Sequence, residues 1–365
     1  MGAAADTRFL KLAIALSRRG LGRCWPNPAV GCVIVQAGRI VGRGVTQPGG
    51  RPHAEQVALA QAGTQARGAT AYVSLEPCAH HGRTPPCAEA LIAAGITRVV
   101  AALEDPDPRV SGRGFAMLRA AGLEVETGLL ADAATEVLGG FLSRMVRGRP
   151  RLTLKLALSL DGRIATASGH SQWITGPQAR RHVHGLRASH DAVMVGAGTA
   201  RADDPMLTVR EMGRASQPVR VVVSRRLDLP LMSQLARTAR EVPVWLCCGP
   251  DADPALAEAW TGAGAEVIRC ALAGRQLDMG SVLQALGARG VTRVLCEGGG
   301  ALVASLMAET LVDDLVVFSA GLAIGAEGLP GISALGLERL DQAERFRLIG
   351  TRAVGGDVMQ VWRAD

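Results

Sequence analysis

Aromatic side chains are scarce in this chain. Phe, Trp and Tyr make up only 3% of its 365 residues, with a single tyrosine. That argues against a single-stranded nucleic-acid binder, which needs aromatic platforms for its bases. Long apolar runs are also missing, and none approaches the ~18 residues of a membrane span. The cysteines number 8 in the whole chain, too sparse for a disulfide scaffold. Cys247 and Cys248 are neighbours in an apolar run, so a reducing cytoplasm is the expected setting. There is no short internal repeat and no low-complexity tract. The opening "MGAAADTRFLKLAIALSRRG" has Arg8 and Lys11 inside its apolar stripe. It therefore reads as an amphipathic helix ending at Gly20 and not as a secretory leader.

What the chain does have is apolar mass and positive charge. Hydrophobic residues reach 48% and the formal charge is +7. The first permits a substantial core, and the length suits two or three domains. The second fits an anionic substrate such as a phosphate ester or nucleotide, or simply a basic soluble surface.

The order of patterns predicts two α/β domains. After the first helix, "AVGCVIVQ" and "IVGRGV" read as a hairpin. A helix from about His53, the run "TAYVSL", a helix from about Pro86 and the run "RVVAAL" alternate. The helical "GFAMLRAAG", the run "LEVETG" and a last helix over 131–147 follow. Such alternation implies a sheet covered by helices. The basic Gly/Pro segment "RGRPR" then marks a boundary, giving domains at 1–147 and 150–365. The second half restarts with "LTLKLALSLDGRIA" and a helix near Pro177 to His190. Strand-like "AVMVG", "VRVVVS" and "VPVWLCC" come next, then "TRVLCEGGGALVASLMAE" as strand, glycine turn and helix, and "LVDDLVVFSAG" as a strand.

The first chemical constellation is His53, Cys78 and Cys87. One imidazole and two thiolates suit zinc, and a catalytic zinc site uses three protein ligands and keeps one position for water. Both cysteines follow proline, so both thiols are expected at helix N-termini, where a thiolate is favoured. Glu55 lies two residues after His53. A carboxylate there can take a proton from water and deliver it to a departing amine, the arrangement known for zinc deaminases, His-x-Glu followed by Pro-Cys. Here eight residues separate the cysteines instead of two, which narrows the kind of deaminase. A structural zinc site would close the shell with a fourth ligand, for which His80 or His81 is the candidate. Both are expected instead in the inter-cysteine loop, near substrate or in solvent. Cys24 and Cys32 read as core cysteines.

The second constellation concerns phosphate. In "CEGGGALVASL" three glycines join a strand to a helix, where backbone amides can cradle a phosphate. Ser224, Arg225 and Arg226 follow a strand, where a basic residue can accept the extra phosphate of NADP, or form a solvated turn. Arg187 and Arg210 are candidate phosphate clamps. Thr199 and "DDP" at 203–205 read as a loop reaching ribose hydroxyls, and His182 and His184 as lying on an exposed helix face.

Taken in order, "NPAVGCVIV", "PHAE", "LEPCAHHGRTPPC", "SLDGRIA", "SQWIT", "ADDPMLTVR" and "CEGGG" resemble the bifunctional riboflavin-biosynthesis deaminase–reductase family. The resemblance spans almost the entire chain. It implies a cytidine-deaminase-like three-layer α/β/α domain followed by a dihydrofolate-reductase-like α/β domain, with one zinc ion per chain and NADPH. It also implies two reactions: hydrolytic loss of the 2-amino group of 2,5-diamino-6-(5-phosphoribosylamino)pyrimidin-4(3H)-one, then reduction of the ribosyl chain of 5-amino-6-(5-phosphoribosylamino)uracil to ribityl. By motif, His53, Cys78 and Cys87 resemble the zinc ligands, Glu55 the proton donor and Asn27 a pyrimidine contact. Ala157, Trp173, Thr199, Asp203 and Ser224 resemble NADP contacts, as does the segment Gly299, Gly300, Ala301, Leu302, Val303, Ala304 and Ser305. Ser171, Arg187, Leu207, Arg210 and Glu297 resemble substrate contacts, and Lys155 is a candidate to polarise the sugar. No nucleic acid or membrane partner is implied, and a homo-oligomer (dimer or tetramer) is expected.

Two departures from the family pattern stand out. Thr46 occupies a position that often holds His, and Asp107 occupies the Asn place of "DPNP". Both bear on how the pyrimidine is gripped. The rival readings are a nucleoside- or tRNA-type zinc deaminase fused to an unrelated nucleotide-binding domain, and a non-enzymatic zinc-stapled module. The first expects a short Cys-x-x-Cys, and the second a fourth protein ligand.

Overall fold

The structure is a computed structural model describing residues 2–81, 85–213 and 216–365. The chain divides into two compact units, Met1–Gly148 and Arg149–Asp365.

In the first unit the order is α1 (Ala3–Ser17), β1 (Gly31–Gln36), β2 (Arg39–Val45), α2 (Ala54–Ala62) and β3 (Thr70–Val73). Then come α3 (Cys87–Ala93), β4 (Arg98–Ala101), α4 (Arg113–Ala120), β5 (Glu124–Thr127) and α5 (Ala131–Arg147). The sheet runs β2-β1-β3-β4-β5. β1 is antiparallel to both neighbours, while β3, β4 and β5 are parallel. Ala37 and Gly38 both take positive φ at the hairpin turn, as a tight two-residue connection requires. Two glycines set how closely helices approach the sheet. A Cβ on Gly31 would sit 2.0 Å from the Ala13 carbonyl of α1, and one on Gly44 1.9 Å from the Ala54 carbonyl of α2. Gly31 pairs with Val45 and Gly44 with Cys32, so the two glycines face opposite sides of the sheet. Helices therefore cover both faces, and Val33, Ile34 and Val35 are buried between them. Cys24 and Cys32 are buried, as a core role requires.

The second unit begins β6 (Arg151–Leu158), β7 (Arg163–Ala165), α6 (Pro177–Ala188), β8 (Ala192–Gly196), α7 (Ala197–Asp203) and β9 (Val219–Val223). It continues α8 (Gln234–Arg237), β10 (Val244–Cys248), α9 (Pro254–Ala263), β11 (Glu266–Arg269), β12 (Leu272–Ala273), β13 (Gln276–Leu277) and α10 (Met279–Ala288). β14 (Arg293–Cys296), α11 (Gly300–Ala308), β15 (Asp314–Ala320), β16 (Leu329–Pro330), β17 (Phe346–Val354) and β18 (Asp357–Ala364) complete it. The main sheet has the order β11-β10-β9-β8-β14-β6-β15-β18-β17. Every neighbouring pair from β11 to β15 is parallel, and the last hairpin is antiparallel. Valine-rich β8 and β9 are buried almost throughout, as parallel strands covered on both faces must be. Parallel strands end on one edge of their sheet, and the loops after β6, β8, β9 and β14 gather there.

Candidate active sites

The first site forms where α2 starts. His53 is the N-cap of α2, and Glu55 lies in its first turn, 3% exposed. His53 Nδ1 lies 3.6 Å from Cys78 Sγ and 3.3 Å from Cys87 Sγ. The three donor atoms are all within 4.8 Å of one another. Asn27 Nδ2 donates to the Gly50 carbonyl at 2.9 Å and lies 3.3 Å from His53 Nε2, so the far edge of the ring is held and Nδ1 is left facing the sulfurs. One nitrogen and two sulfurs converging on a point is the donor set of a catalytic zinc site, and the residues present fit that ion.

Cys87 opens α3, but Cys78 is not on a helix as its Pro-Cys context suggested. Its sulfur instead accepts the Cys87 backbone N–H, 3.3 Å away at the start of α3. Cys78 thus gains the electrostatic benefit of a helix start without belonging to one. Hydrogen bonds from Cys87 and from His53 hold its thiol down at about 4, against the opposing effect of burial. The same contact with Cys78, with burial, pushes the Cys87 thiol upward. Burial, and then the charge of Cys78, raises the Glu55 carboxyl to about 7. A group poised there can both take and give a proton near neutral pH.

Sequence reasoning passed over the support behind this site. Glu76, 4% exposed, accepts four backbone N–H groups, from Asp105, Gly112, Gly114 and Phe115, at 2.8–3.2 Å. It ties the loop after β4 to the Pro77–Cys78 segment. The acidic residue before Pro-Cys was the only signal for it. Asp105 is buried, and desolvation lifts its carboxyl to about 6. Asp107 is also buried and is paired with Arg109, whose hydrogen bonds keep it ionised. Thr46 is buried, its hydroxyl accepting the Val30 N–H at 3.0 Å. His81 is exposed, 3.5 Å from Glu89. His80 is half-buried with its Nδ1 unpartnered among the described residues. Residues 82–84 of the inter-cysteine stretch lie outside the described residues.

The second site is a cavity of about 1380 Å³ at the C-terminal edge of the parallel strands. Ligand pockets of open parallel sheets form at this edge, and the volume exceeds the ~300–1,000 Å³ of a typical small-molecule pocket. Ala157, Ser171, Trp173, Thr199, Asp203 and Ser224 line it. Arg210, Glu297, the glycine turn and the first part of α11 line it too. Gly299 is the N-cap of α11 and makes no side-chain cap hydrogen bond, while its own N–H is taken by the Thr199 hydroxyl at 3.2 Å. A glycine turn leading into a helix, in a cavity with room for two ligands, fits a dinucleotide beside a substrate.

Several expectations change here. Arg187 is not a free clamp: its guanidinium is bound to Glu297 through two hydrogen bonds and to the Thr208 carbonyl. Lys155 Nζ stands 3.7 Å from the same carboxylate. Burial raises the Glu297 carboxyl, but Arg187 and Lys155 outweigh it and hold the group below its ordinary range. His184 does not sit on an exposed face. It is 9% exposed, lines the cavity and accepts the Arg210 N–H at 3.3 Å, whereas His182 is exposed as expected. Its place three residues before Arg187 was the available clue, because positions three apart share a helix face. Thr199 and Asp203 belong to helix α7 and not to a loop. Leu207 and Val303 are 3% and 0% exposed and are not among the residues lining the cavity, so they serve the core.

Residues 150–360 match the family described as RibD C-terminal domain, and residues 3–103 match the cytidine and deoxycytidylate deaminase zinc-binding region. The chain belongs to the RibD family of riboflavin-biosynthesis proteins. The Escherichia coli K12 riboflavin biosynthesis protein RibD is 42% identical, with 97% of this chain and 98% of that protein covered. The Acinetobacter baumannii RibD structure, form 2, superimposes with a TM-score of 0.88 at 38% identity, covering 99% of both chains. A Thermotoga maritima structure described as a diaminohydroxyphosphoribosylaminopyrimidine deaminase/5-amino-6-(5-phosphoribosylamino)uracil reductase gives 0.86 at 33% identity, again covering 99% of both. As a RibD-family member the chain is a bifunctional riboflavin-biosynthesis enzyme with a deaminase part and a reductase part, and the nucleoside- or tRNA-deaminase alternative is not favoured. Its cofactors are Zn²⁺ for the deaminase and NADPH for the reductase. No helix among the described residues is long and apolar enough to cross a membrane.

Proposed function

We propose that residues 1–147 deaminate 2,5-diamino-6-(5-phosphoribosylamino)pyrimidin-4(3H)-one and that residues 150–365 reduce the ribosyl chain of 5-amino-6-(5-phosphoribosylamino)uracil. The observation that carries this reading is the convergence of His53, Cys78 and Cys87 with buried Glu55 alongside. In this reading the three residues hold one zinc ion per chain. Bound zinc supplies Lewis acidity toward water. Glu55 takes a proton from the attacking water and returns it to the departing amine, and Asn27 orients the His53 ring and meets the pyrimidine.

In the reductase part, bound NADPH supplies the hydride. The Gly299–Ser305 segment, Ala157, Trp173, Thr199, Asp203 and Ser224 hold the cofactor. Val303 acts only by packing the helix. Ser171, Arg210 and Glu297 bind the phosphoribosyl group, with Arg210 as the phosphate ligand because Arg187 is occupied by Glu297. Arg187 then serves to fix that carboxylate, and Leu207 contributes through its backbone. Lys155 polarises the sugar carbonyl. The enzyme works in the cytoplasm as a homo-oligomer, dimer or tetramer, a state that sedimentation of the purified chain reads directly.

The test supplies the diaminopyrimidine substrate with and without NADPH while following ammonia and nicotinamide absorbance. Ammonia release without NADPH, followed by NADPH consumption on the deaminated product, is the expected result. NADPH consumption with no preceding ammonia would overturn the assignment.

A further inference from the structure

The cavity has two ends that differ in chemistry. Around β6 and α6 it is lined by Lys155, His184, Arg210 and Glu297. Around β9 it is lined by Ser224, Arg225, Leu277 and Met279. The glycine turn after β14 lies between these ends, because the sheet runs β9-β8-β14-β6. Strands are spaced about 4.8 Å apart, so Ser224 and Arg225 begin about 10 Å from the glycine turn. That is the reach from a dinucleotide's pyrophosphate to the substituents of its adenosine ribose.

The Ser224 hydroxyl donates to Asp228 at 3.1 Å and carries no charge to set against a phosphate. Arg225 is the cation at this end, half-buried, while Arg226 is exposed and outside the lining. The Arg225 guanidinium is held in place: Nη1 donates to the Arg275 carbonyl at 2.8 Å and Nη2 to Asp251 at 2.7 Å. Its Nε–H is buried and has no partner among the described residues. Gly249 makes room for this pair, since a Cβ there would lie 2.6 Å from Asp251 Oδ1 and 3.4 Å from Arg225 Cγ. Leu277 and Met279 supply an apolar wall beside it, suited to a purine face.

We propose that Arg225 is the residue that reads the adenosine 2′-phosphate of NADPH, and that Asp251 is a built-in competitor which orients the guanidinium and tempers its affinity for that phosphate. The inference rests on the assignment of NADPH to this cavity. It goes further in naming which cation makes the choice over NADH, and in giving Asp251 an opposing role. A planar guanidinium offers a phosphate two parallel hydrogen bonds, and a carboxylate already on one edge must share or yield that edge.

The test is calorimetric binding of 2′,5′-ADP, 5′-AMP, NADPH and NADH to the full chain, with no turnover required. The wild type is expected to prefer 2′,5′-ADP over 5′-AMP. Arg225→Gln should lose about tenfold or more of that preference while binding 5′-AMP and NADH as before. Asp251→Asn should tighten 2′,5′-ADP several-fold and leave 5′-AMP unchanged, and this removes any ambiguity from a misfolded Arg225 variant. Undiminished preference in Arg225→Gln, or weaker 2′,5′-ADP binding in Asp251→Asn, would overturn the inference while leaving NADPH in the cavity. Failure of the wild type to bind either dinucleotide would overturn both.

Discussion

Arg187 and Glu297 are joined by a two-point ion pair, with Nε 2.6 Å from one carboxylate oxygen and Nη2 3.1 Å from the other. The two residues are 110 positions apart in the sequence and meet because α6 and the end of β14 face one cavity. With side chains only 12% and 8% exposed, neither charge has water to fall back on. Glu297→Ala should therefore destabilise the second unit by about 3 kcal/mol, because breaking a buried pair leaves a charge uncompensated. Lys155, also beside Glu297, would compound the loss. Urea denaturation of the variant measures this, and Glu297→Gln, which keeps the shape and part of the hydrogen bonding, should fall between the two.

Glu55→Gln should lower ammonia release by about 10²–10⁴-fold, the usual worth of a positioned acid–base group. Metal content, measured by elemental analysis, should remain at one zinc per chain, and reduction of supplied deaminated product should continue. Undiminished ammonia release would remove Glu55 from the mechanism.

Cys78→Ser and His53→Ala should each lose the zinc and with it the deaminase activity, while reductase activity persists. Chelation of the wild type should do the same reversibly. It should also lower the melting temperature of the first unit, since an ion that binds only the folded state stabilises that state.

Gly114→Ala tests the support behind the metal loop. The added methyl would lie 2.0 Å from the Pro77 carbonyl, a backbone atom next to Cys78 that cannot swing aside. A loss of about 1–3 kcal/mol is expected, together with weaker zinc retention. Gly262→Ala, where nothing lies within 4 Å, is the control and should leave both measurements close to wild type.

His190 gives the fold an acid-sensitive element. Its Nδ1 lies 2.7 Å from the Leu186 carbonyl and its Nε2 2.9 Å from the Thr153 hydroxyl, the pattern of a neutral ring that donates from one nitrogen and accepts at the other. Burial, then the charge of Arg293, depresses it from 6.5 to about 3. Between those values the unfolded chain binds the proton and the folded chain does not. Stability is thus fully present above 6.5 and falls as pH drops toward 3, by up to about 1.4 kcal/mol per unit. Denaturation midpoints across that range should show a shallower acid slope in His190→Asn.

Much of the architecture was readable in the sequence because it rests on local patterns. The helix over 131–147 and the hairpin of β1 and β2 follow from periodicity and a glycine turn, and the second domain from a renewed strand–helix alternation. The metal-capable set was readable because residue chemistry and the order of motifs are properties of the chain itself. What escaped depended on partners distant in sequence. Nothing near Arg187 announces that Glu297 will occupy it, and nothing near Cys78 says that a helix nine residues later will point its first amide at the sulfur. His184 lies on a polar helix face of the kind that usually meets solvent, whereas here the polar groups face a cavity. Leu207 and Val303 sit inside motifs proposed to hold ligands, yet their own side chains go to the core.

Glu76 has a consequence for how the deaminase part resists opening. A single buried carboxylate collects amides from four residues spread over 105–115, in a stretch that otherwise has little regular structure before α4. To expose any one of these amides, the chain must also release the others and leave a charged group dry. The stretch should therefore exchange its hydrogens with solvent as slowly as neighbouring strands do and come apart with them as one cooperative unit.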